Sequence, residues 1–497
     1  MLQLLEHVDN IRKRVGKDIS QEHKADLGQF MTPLPVARFM ASLFSPTTLQ
    51  TVRLLDAGAG VGSLSGAFLD RCAAGDFSFC HIKVYAYEID AVLRKHLSRS
   101  LAEYQAELAL DVHVSSKDFI EDAIKLITKG GVRFTHAIMN PPYKKINSAS
   151  RHRSVLRQVG IETVNLYSAF VALTVDLMEP GGQVVAIIPR SFCNGPYYKS
   201  FRDFILSRAS IKRMHLFNSR SKAFRDDAVL QENVIIVLER GVPQGPITIS
   251  TSTDDKFTDT KTHAYAFEQI VFPNDPERFI HVPTSPKHSH IELSPLVCFS
   301  PADLGLEVST GPVVAFRVTE HLRHMPAPGT VPLLYPCHFV GHRIVWPKPD
   351  SKKPNAIVRT DETEKWLYPN GYYVVVRRFS SKEEKRRIVA SVVDPHTLPS
   401  SMIGIENHLN VIHCGKRGID KALAYGLAAF LNSTAVDDQF RRFSGHTQVN
   451  ATDLRLLKYP SRTALNRLAL WVKNQTELTQ QKIDRKVESS AWQKTTT

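Results

Sequence analysis

Apolar and polar positions follow two different periods along the chain. Leu2, Leu5, Val8, Ile11 and Val15 fall at near-helical spacing, which predicts a short amphipathic helix over residues 1–15. Thr32-Pro33 supplies an N-cap and a first-turn proline for a second helix ending near Phe44. From Thr51 to about Arg240, short apolar runs at 52–56, 84–88, 137–139, 184–188 and 234–238 are separated by helical stretches. That alternation predicts an α/β domain built on a doubly wound, mostly parallel sheet. Beyond Gly241 prolines become frequent, apolar runs shorten, and no long helical pattern returns until 419–431. A boundary at 241–246 therefore divides the chain. Residues 1–26 read as an N-terminal helical segment, 27–242 as the α/β domain, 243–475 as a second, mixed α+β domain, and 476–497 as a polar tail.

Composition adds a partner class. Of 497 residues 43% are hydrophobic and 23% charged, ordinary for a globular chain, while a net charge of +14 favours a polyanion. The first 240 residues carry 31 Lys+Arg against 24 Asp+Glu and the rest 32 against 25, so neither half is a basic tail on a neutral enzyme. Six cysteines form no CxxC pair and no Cys/His cluster with zinc spacing, so no metal is expected. The acidic, weakly apolar N-terminus is not a signal peptide, and no apolar run is long enough to span a bilayer; a cytoplasmic protein is expected.

Three loops carry candidate chemistry. Leu54-Leu-Asp-Ala-Gly-Ala-Gly-Val-Gly-Ser ends a strand at Asp56 and follows it with Gly58, Gly60 and Gly62, where backbone can approach a ligand closely. The place of the third glycine in a dinucleotide fingerprint is Ser63, and no Lys-Ser/Thr pair cradles phosphate. The next strand ends in Glu88, placed to accept ribose hydroxyls, and Ser116-Lys-Asp-Phe puts Asp118 where it could accept from an adenine amino group. In that order the acids favour S-adenosylmethionine over a phosphate-rich cofactor.

The sharpest signal is Asn140-Pro141-Pro142-Tyr143 at the end of an apolar strand. An exocyclic aromatic amine is a poor nucleophile because its lone pair is delocalised. The Asn140 side-chain oxygen and the Pro141 carbonyl can each accept one amino hydrogen and localise that pair. The two prolines hold the acceptors in place, and Tyr143 offers a ring for stacking.

Glycine loop, acidic strand end, Asp-Phe and Asn-Pro-Pro-Tyr in this order resemble amino-methyltransferases of the class I, Rossmann-like fold. Leu27-Gly-Gln-Phe-Met-Thr-Pro-Leu-Pro-Val-Ala resembles the N-terminal motif of γ-class N6-adenine DNA methyltransferases. The resemblance implies that Phe30, Thr32 and Pro33 pack over the methionine end of the cofactor, and that Asp56, Gly58 and Gly60 line methionine and ribose. It implies that Glu88 binds the ribose, and that Ile89, Asp118 and Phe119 meet adenine. The segment 223–234 looks like one that gives a second aromatic to an extruded base, which nominates Phe224. Stretches at 372–387 and 444–450 are similar to those of restriction-system modification methyltransferases of the PstI and BsuBI type. The implied activity is site-specific methylation of adenine N6 in double-stranded DNA, beside a separately encoded restriction endonuclease.

A target adenine must leave the duplex to reach a buried sulfonium. Lys144, Lys145, Arg151, Arg153 and Arg157 follow the catalytic loop with no acid among them in the segment, placed to grip phosphates. Arg377, Arg378 and Lys382 head a second basic cluster, and Arg441, His446 and Gln448 a third that could read base edges, so 243–475 is expected to be the DNA target-recognition domain. An RNA or protein-glutamine amino-methyltransferase shares the tetrapeptide and is the alternative. A nuclease reading of Pro349-Asp350 with Glu383-Glu-Lys385 rests on a short, permissive pattern.

Overall fold

The computed structural model describes residues 3–18, 31–147, 149–217, 232–273, 275–283, 296–380, 384–443 and 448–489. Phe30, Phe224, Lys382 and His446 lie outside the described residues. The chain divides into two compact units, Met1–Thr284 and Ser285–Thr497.

The first unit is a nine-stranded sheet in the order β3-β2-β1-β4-β5-β7-β6-β8-β9. Its strands are β1 (Thr51–Ala57), β2 (His81–Tyr87), β3 (Leu110–Ser115), β4 (Phe134–Met139), β5 (Met178–Pro189), β6 (Ala209–Phe217), β7 (Asn233–Arg240), β8 (Ile247–Ser252) and β9 (Lys261–Tyr265). β1 to β5 pair in parallel, and β7 runs antiparallel between β5 and β6. The expected doubly wound, mostly parallel α/β architecture is therefore present. The strand order reverses direction between β1 and β4, and ligands of such sheets bind beyond the carboxyl ends of the strands flanking that switch.

Among the described residues the first unit's helices of eight or more residues are α1 (Gln3–Asp18), α2 (Leu34–Ser42), α3 (Ser63–Ala73), α4 (Ala91–Gln105), α5 (Phe119–Lys129), α6 (Arg151–Gln158), α7 (Leu166–Leu177) and α8 (Lys199–Arg208). In α1 the predicted stripe of Leu5, Val8, Ile11 and Val15 is buried. Val8, Ile11 and Val15 cluster with Val61, Leu93 and Met31, so the helix backs the wall formed by the glycine loop. One local expectation is corrected at α2. Pro33, not Thr32, is the N-cap, because the Thr32 hydroxyl is engaged by a side chain of the β4 loop.

The sheet continues past residue 242: β8 pairs in parallel with β6, and β9 with β8. The change in texture at 241–246 marks a turn inside the unit. With the division at 284/285, the second unit holds 29 Lys+Arg against 19 Asp+Glu. The charge that looked evenly spread is thus concentrated there.

The second unit is mixed α+β, with a six-stranded and a five-stranded sheet. Helices Lys421–Leu431 and Arg462–Lys473 contribute to its main core. The stretch expected as a polar tail includes helix Gln480–Ser489, whose Ile483 and Val487 are buried in that core. Asp484 accepts from the Thr434 N–H and hydroxyl at 2.7 Å each. Two apolar residues four apart on an otherwise polar helix are enough to dock it, a signal too sparse to stand out in the sequence. No helix among the described residues is long and apolar enough to cross a membrane.

Candidate functional site

A cavity of about 350 Å³ opens at the carboxyl ends of β1, β2 and β4, beside the switch in strand order. Its floor is the glycine loop. The Gly58 and Ala59 N–H groups donate to the Tyr87 carbonyl at 3.0 and 2.9 Å, which ties the loop to the end of β2. Gly58 has φ +82, and a Cβ there would lie 3.9–4.0 Å from the Phe170 ring, the Asn140 carbonyl and Pro142. Those contacts are ordinary, so it is the left-handed backbone that calls for glycine at this turn.

Asp56 sits at the end of β1, fully buried. Its Oδ2 accepts from the Ser65 N–H at 3.2 Å and the Ser65 hydroxyl at 2.6 Å, while Oδ1 is buried with no partner. Burial drives its carboxyl up to about 7 against the Ser65 bonds, with a smaller push from the Glu88 charge. Glu88, 3% exposed, accepts from Gly60 N–H at 2.9 Å and from Asp90 N–H at 2.8 Å. Its carboxyl is also raised, chiefly by burial. An orphaned acceptor and a buried carboxylate beside a glycine loop suit a ligand bearing hydroxyl and ammonium donors.

At the other end of the cavity Asp118 caps α5, with Oδ1 accepting from Glu121 N–H at 3.0 Å. His152 of α6 bonds its Oδ2 at 3.1 Å. Burial alone would raise the Asp118 carboxyl, but the His152 and Glu121 bonds outweigh it and the net shift is downward; His152 is correspondingly raised by Asp118. Phe119 packs edge-on to Tyr87 at 5.2 Å and at 4.9 Å from Phe170. Ile89 is 52% exposed, an apolar side chain at the rim.

The tetrapeptide begins where β4 stops. Asn140 donates through Nδ2 to the Thr32 hydroxyl at 3.2 Å and accepts through Oδ1 from the Tyr143 hydroxyl at 2.9 Å. The same hydroxyl lies 3.1 Å from the Ile187 carbonyl at the end of β5. These contacts fix which way the carboxamide faces. Its oxygen has two lone pairs, and the tyrosine bond occupies one of them. Burial pushes the Tyr143 phenol well up, so it stays a neutral donor. Tyr143 also meets Tyr167 edge-on at 6.2 Å.

Of the residues nominated from sequence, Thr32, Gly58, Gly60, Glu88, Ile89, Asp118, Phe119, Asn140, Pro142, Lys144 and Lys145 line the cavity. Pro33, Asp56, Pro141 and Tyr143 are not among the residues that line it. Phe170, Lys117, His152 and Met31 line it as well and were not nominated. Phe170 lies on a helix buried over most of its length, in an apolar run that nothing in the sequence separates from core. His152 carried a signal, one imidazole amid five basic residues.

The basic segment after the tetrapeptide is less bare than its sequence suggests. Arg151 bonds Glu121 at 2.9 Å, Arg153 Nε bonds Glu162 at 2.9 Å and Arg157 bonds Glu162 at 2.7 Å. Lys144 and Lys145 are exposed. In the second unit Arg377 pairs with Glu384, and Arg441 bonds Asp437 and the Glu384 carbonyl at 2.8 Å each, so both hold the fold. Arg378 and Gln448, from separate clusters, meet at 3.2 Å.

The Eco57I restriction-modification methylase family model matches residues 81–224. The chain is 54% identical to the type II methyltransferase M.BsuBI of Bacillus subtilis, over 98% of both chains. It is 41% identical to the type II methyltransferase M.PstI of Providencia stuartii, over 97% of this chain and 96% of that one. Among solved structures, the DrdV–DNA complex superposes with a TM-score of 0.55 at 11% identity, covering 94% of this chain and 59% of that one.

Proposed function

The chain belongs to the type II methyltransferases of restriction–modification systems, and from that membership we propose that it methylates the N6 amino group of an adenine rotated out of duplex DNA. The observation that carries this reading is the Asn140 carboxamide, held by Thr32 and Tyr143, facing the same cavity as Glu88 and Asp118. An enzyme of this kind acts as the modification arm beside a restriction endonuclease for the same site.

The residues present fit S-adenosylmethionine. Glu88 would take the ribose hydroxyls, Asp118 and Phe119 with Ile89 the adenine, and the Asp56 loop the methionine end. Bound there, S-adenosylmethionine supplies a methyl group made electrophilic by its sulfonium. Asn140 Oδ1 and the Pro141 carbonyl accept the two hydrogens of the target amine, which pyramidalises the nitrogen and frees its lone pair for attack. Because the proline pair and the Thr32 and Tyr143 contacts already hold these acceptors, little reorganisation accompanies the reaction. Tyr143 gives the extruded base a ring to stack on, offsetting part of the few kcal/mol needed to unstack it. Lys144 and Lys145 hold backbone phosphate next to the cavity mouth.

Long-read sequencing that detects modified bases tests this directly. Purified protein incubated with S-adenosylmethionine and unmethylated genomic DNA should leave N6-methyladenine at one recurrent short motif. A modified cytosine at that motif, or no mark with cofactor binding verified by calorimetry, would refute the reading.

A further inference from the structure

We propose that Phe379 and His408, flanked by Arg378 and Gln448, form a base-contact surface of the second unit that reads the target sequence; the assignment rests on the DNA-methylation reading above. The strand Tyr373–Arg377 is buried at Val374, Val375 and Val376 and then runs out into Arg378 and Phe379, the latter 41% exposed. Beside it lies the turn 406–408, joining strands Met402–Ile405 and Leu409–His413. Arg378 donates its N–H to the His408 carbonyl at 2.9 Å and Nη1 to the Asn407 carbonyl at 3.2 Å. Gln448 bridges to Phe379 in antiparallel fashion and accepts from Arg378 Nη2 at 3.2 Å. Three segments distant in sequence thus present their polar and aromatic side chains together.

The cluster is organised as a recognition surface. The Phe379 and His408 rings lie 4.8 Å apart, and the Arg378 guanidinium is 5.6 Å from the Phe379 centroid. Buried Glu406 accepts from His408 Nδ1 at 2.6 Å and from its N–H at 2.7 Å, which fixes the imidazole and leaves Nε2 for an outside partner. The Asn407 N–H bonds the Val313 carbonyl at 2.9 Å, and from there the chain leads to Phe316, 75% exposed, with Arg317 against its ring. One exposed phenylalanine is unremarkable on a protein surface. Two, each with a guanidinium over its face, in the unit that carries 29 basic against 19 acidic residues, are not what a phosphate grip needs. Phosphate is held by charged and hydrogen-bonding groups and needs no aromatic face. Exposed π faces together with a carboxamide and a guanidinium match nucleobases, which stack on aromatics and offer adenine N6/N7 to Gln or guanine O6/N7 to Arg.

The test uses the full chain with Phe379→Ala, Phe379→Trp and Gln448→Ala, each first shown to bind S-adenosylmethionine and to melt like the wild type. The probe is unmethylated genomic DNA read by modified-base sequencing, followed by duplexes of the motif so found and of a scrambled control. Phe379→Ala should weaken binding of the motif duplex about 5- to 100-fold while Phe379→Trp retains it. Gln448→Ala should relax the motif at one position, discrimination there falling about 5- to 100-fold. Equal loss on motif and scrambled duplexes would overturn base reading in favour of a general grip. Wild-type rate and stringency in the alanine variants would overturn the assignment outright. A wild type that marks no DNA would overturn the methylation reading and this assignment with it.

Discussion

Replacing Thr32 by Val separates two roles that the same residue could have. The resemblance of the 27–37 segment assigns Thr32 to the methionine end of the cofactor, whereas in the folded protein its hydroxyl accepts from Asn140 Nδ2 at 3.2 Å. Thr32 is 4% exposed, so valine fills nearly the same buried space and removes only the hydroxyl. A net intramolecular hydrogen bond contributes about 0.5–1.5 kcal/mol. Lost from the carboxamide, that energy lets the side chain turn and present its amino group where an acceptor is needed. Converted at about 1.4 kcal/mol per tenfold, kcat should fall about 2- to 12-fold. The assay is single-turnover transfer of labelled methyl to motif DNA, with cofactor affinity measured by calorimetry on the same preparations. The expected result is a lowered rate with cofactor affinity within about twofold, and rescue by Thr32→Ser, which restores the hydroxyl. An unchanged rate with weakened cofactor binding would refute the positioning role and return Thr32 to the cofactor.

Four further outcomes follow from the site. Asn140→Ala should lower kcat about 100- to 1,000-fold, as loss of one preorganised electrostatic partner does, with cofactor affinity retained; near-normal turnover would refute the mechanism. Glu88→Ala removes a buried carboxylate from the Gly60 and Asp90 N–H groups and should weaken cofactor binding about 10-fold or more, read by calorimetry. Burial raises the Asp56 carboxyl from 3.8 to about 7, so the folded chain keeps a proton that the unfolded chain loses. Its stabilising contribution is complete below about pH 4 and vanishes as pH rises through about 7, and melting curves of wild type against Asp56→Asn should diverge across that window. Glu162→Gln should loosen Arg153 and Arg157 and tighten non-specific duplex binding up to about 5-fold at low salt, measured by fluorescence anisotropy; unchanged or weaker binding would remove those arginines from the DNA surface.

What the sequence determined by itself is local chemistry and period. Alternating apolar runs and helical stretches require a wound parallel sheet, and Asp56, Glu88, Asp118 and Asn140 each fall at or just past the end of a strand, where such a sheet places its ligands. Those features depend on neighbours a few residues apart, so they can be read from the chain. The tertiary structure decided the rest, because it depends on contacts between distant segments. Thr32 meets Asn140 across more than a hundred residues, and so serves a side chain where its local sequence offered a helix cap. Phe170 enters the cavity from an apolar run of a largely buried helix, where it looks like core. Glu121 and Glu162 reach the arginines of a segment that holds no acid itself. Strands β8 and β9 join the first sheet through pairing that composition does not encode, and that pairing moves six acidic residues out of the second unit and leaves it strongly basic. Spacing along the chain reports which groups are available, and only packing reports which of them meet.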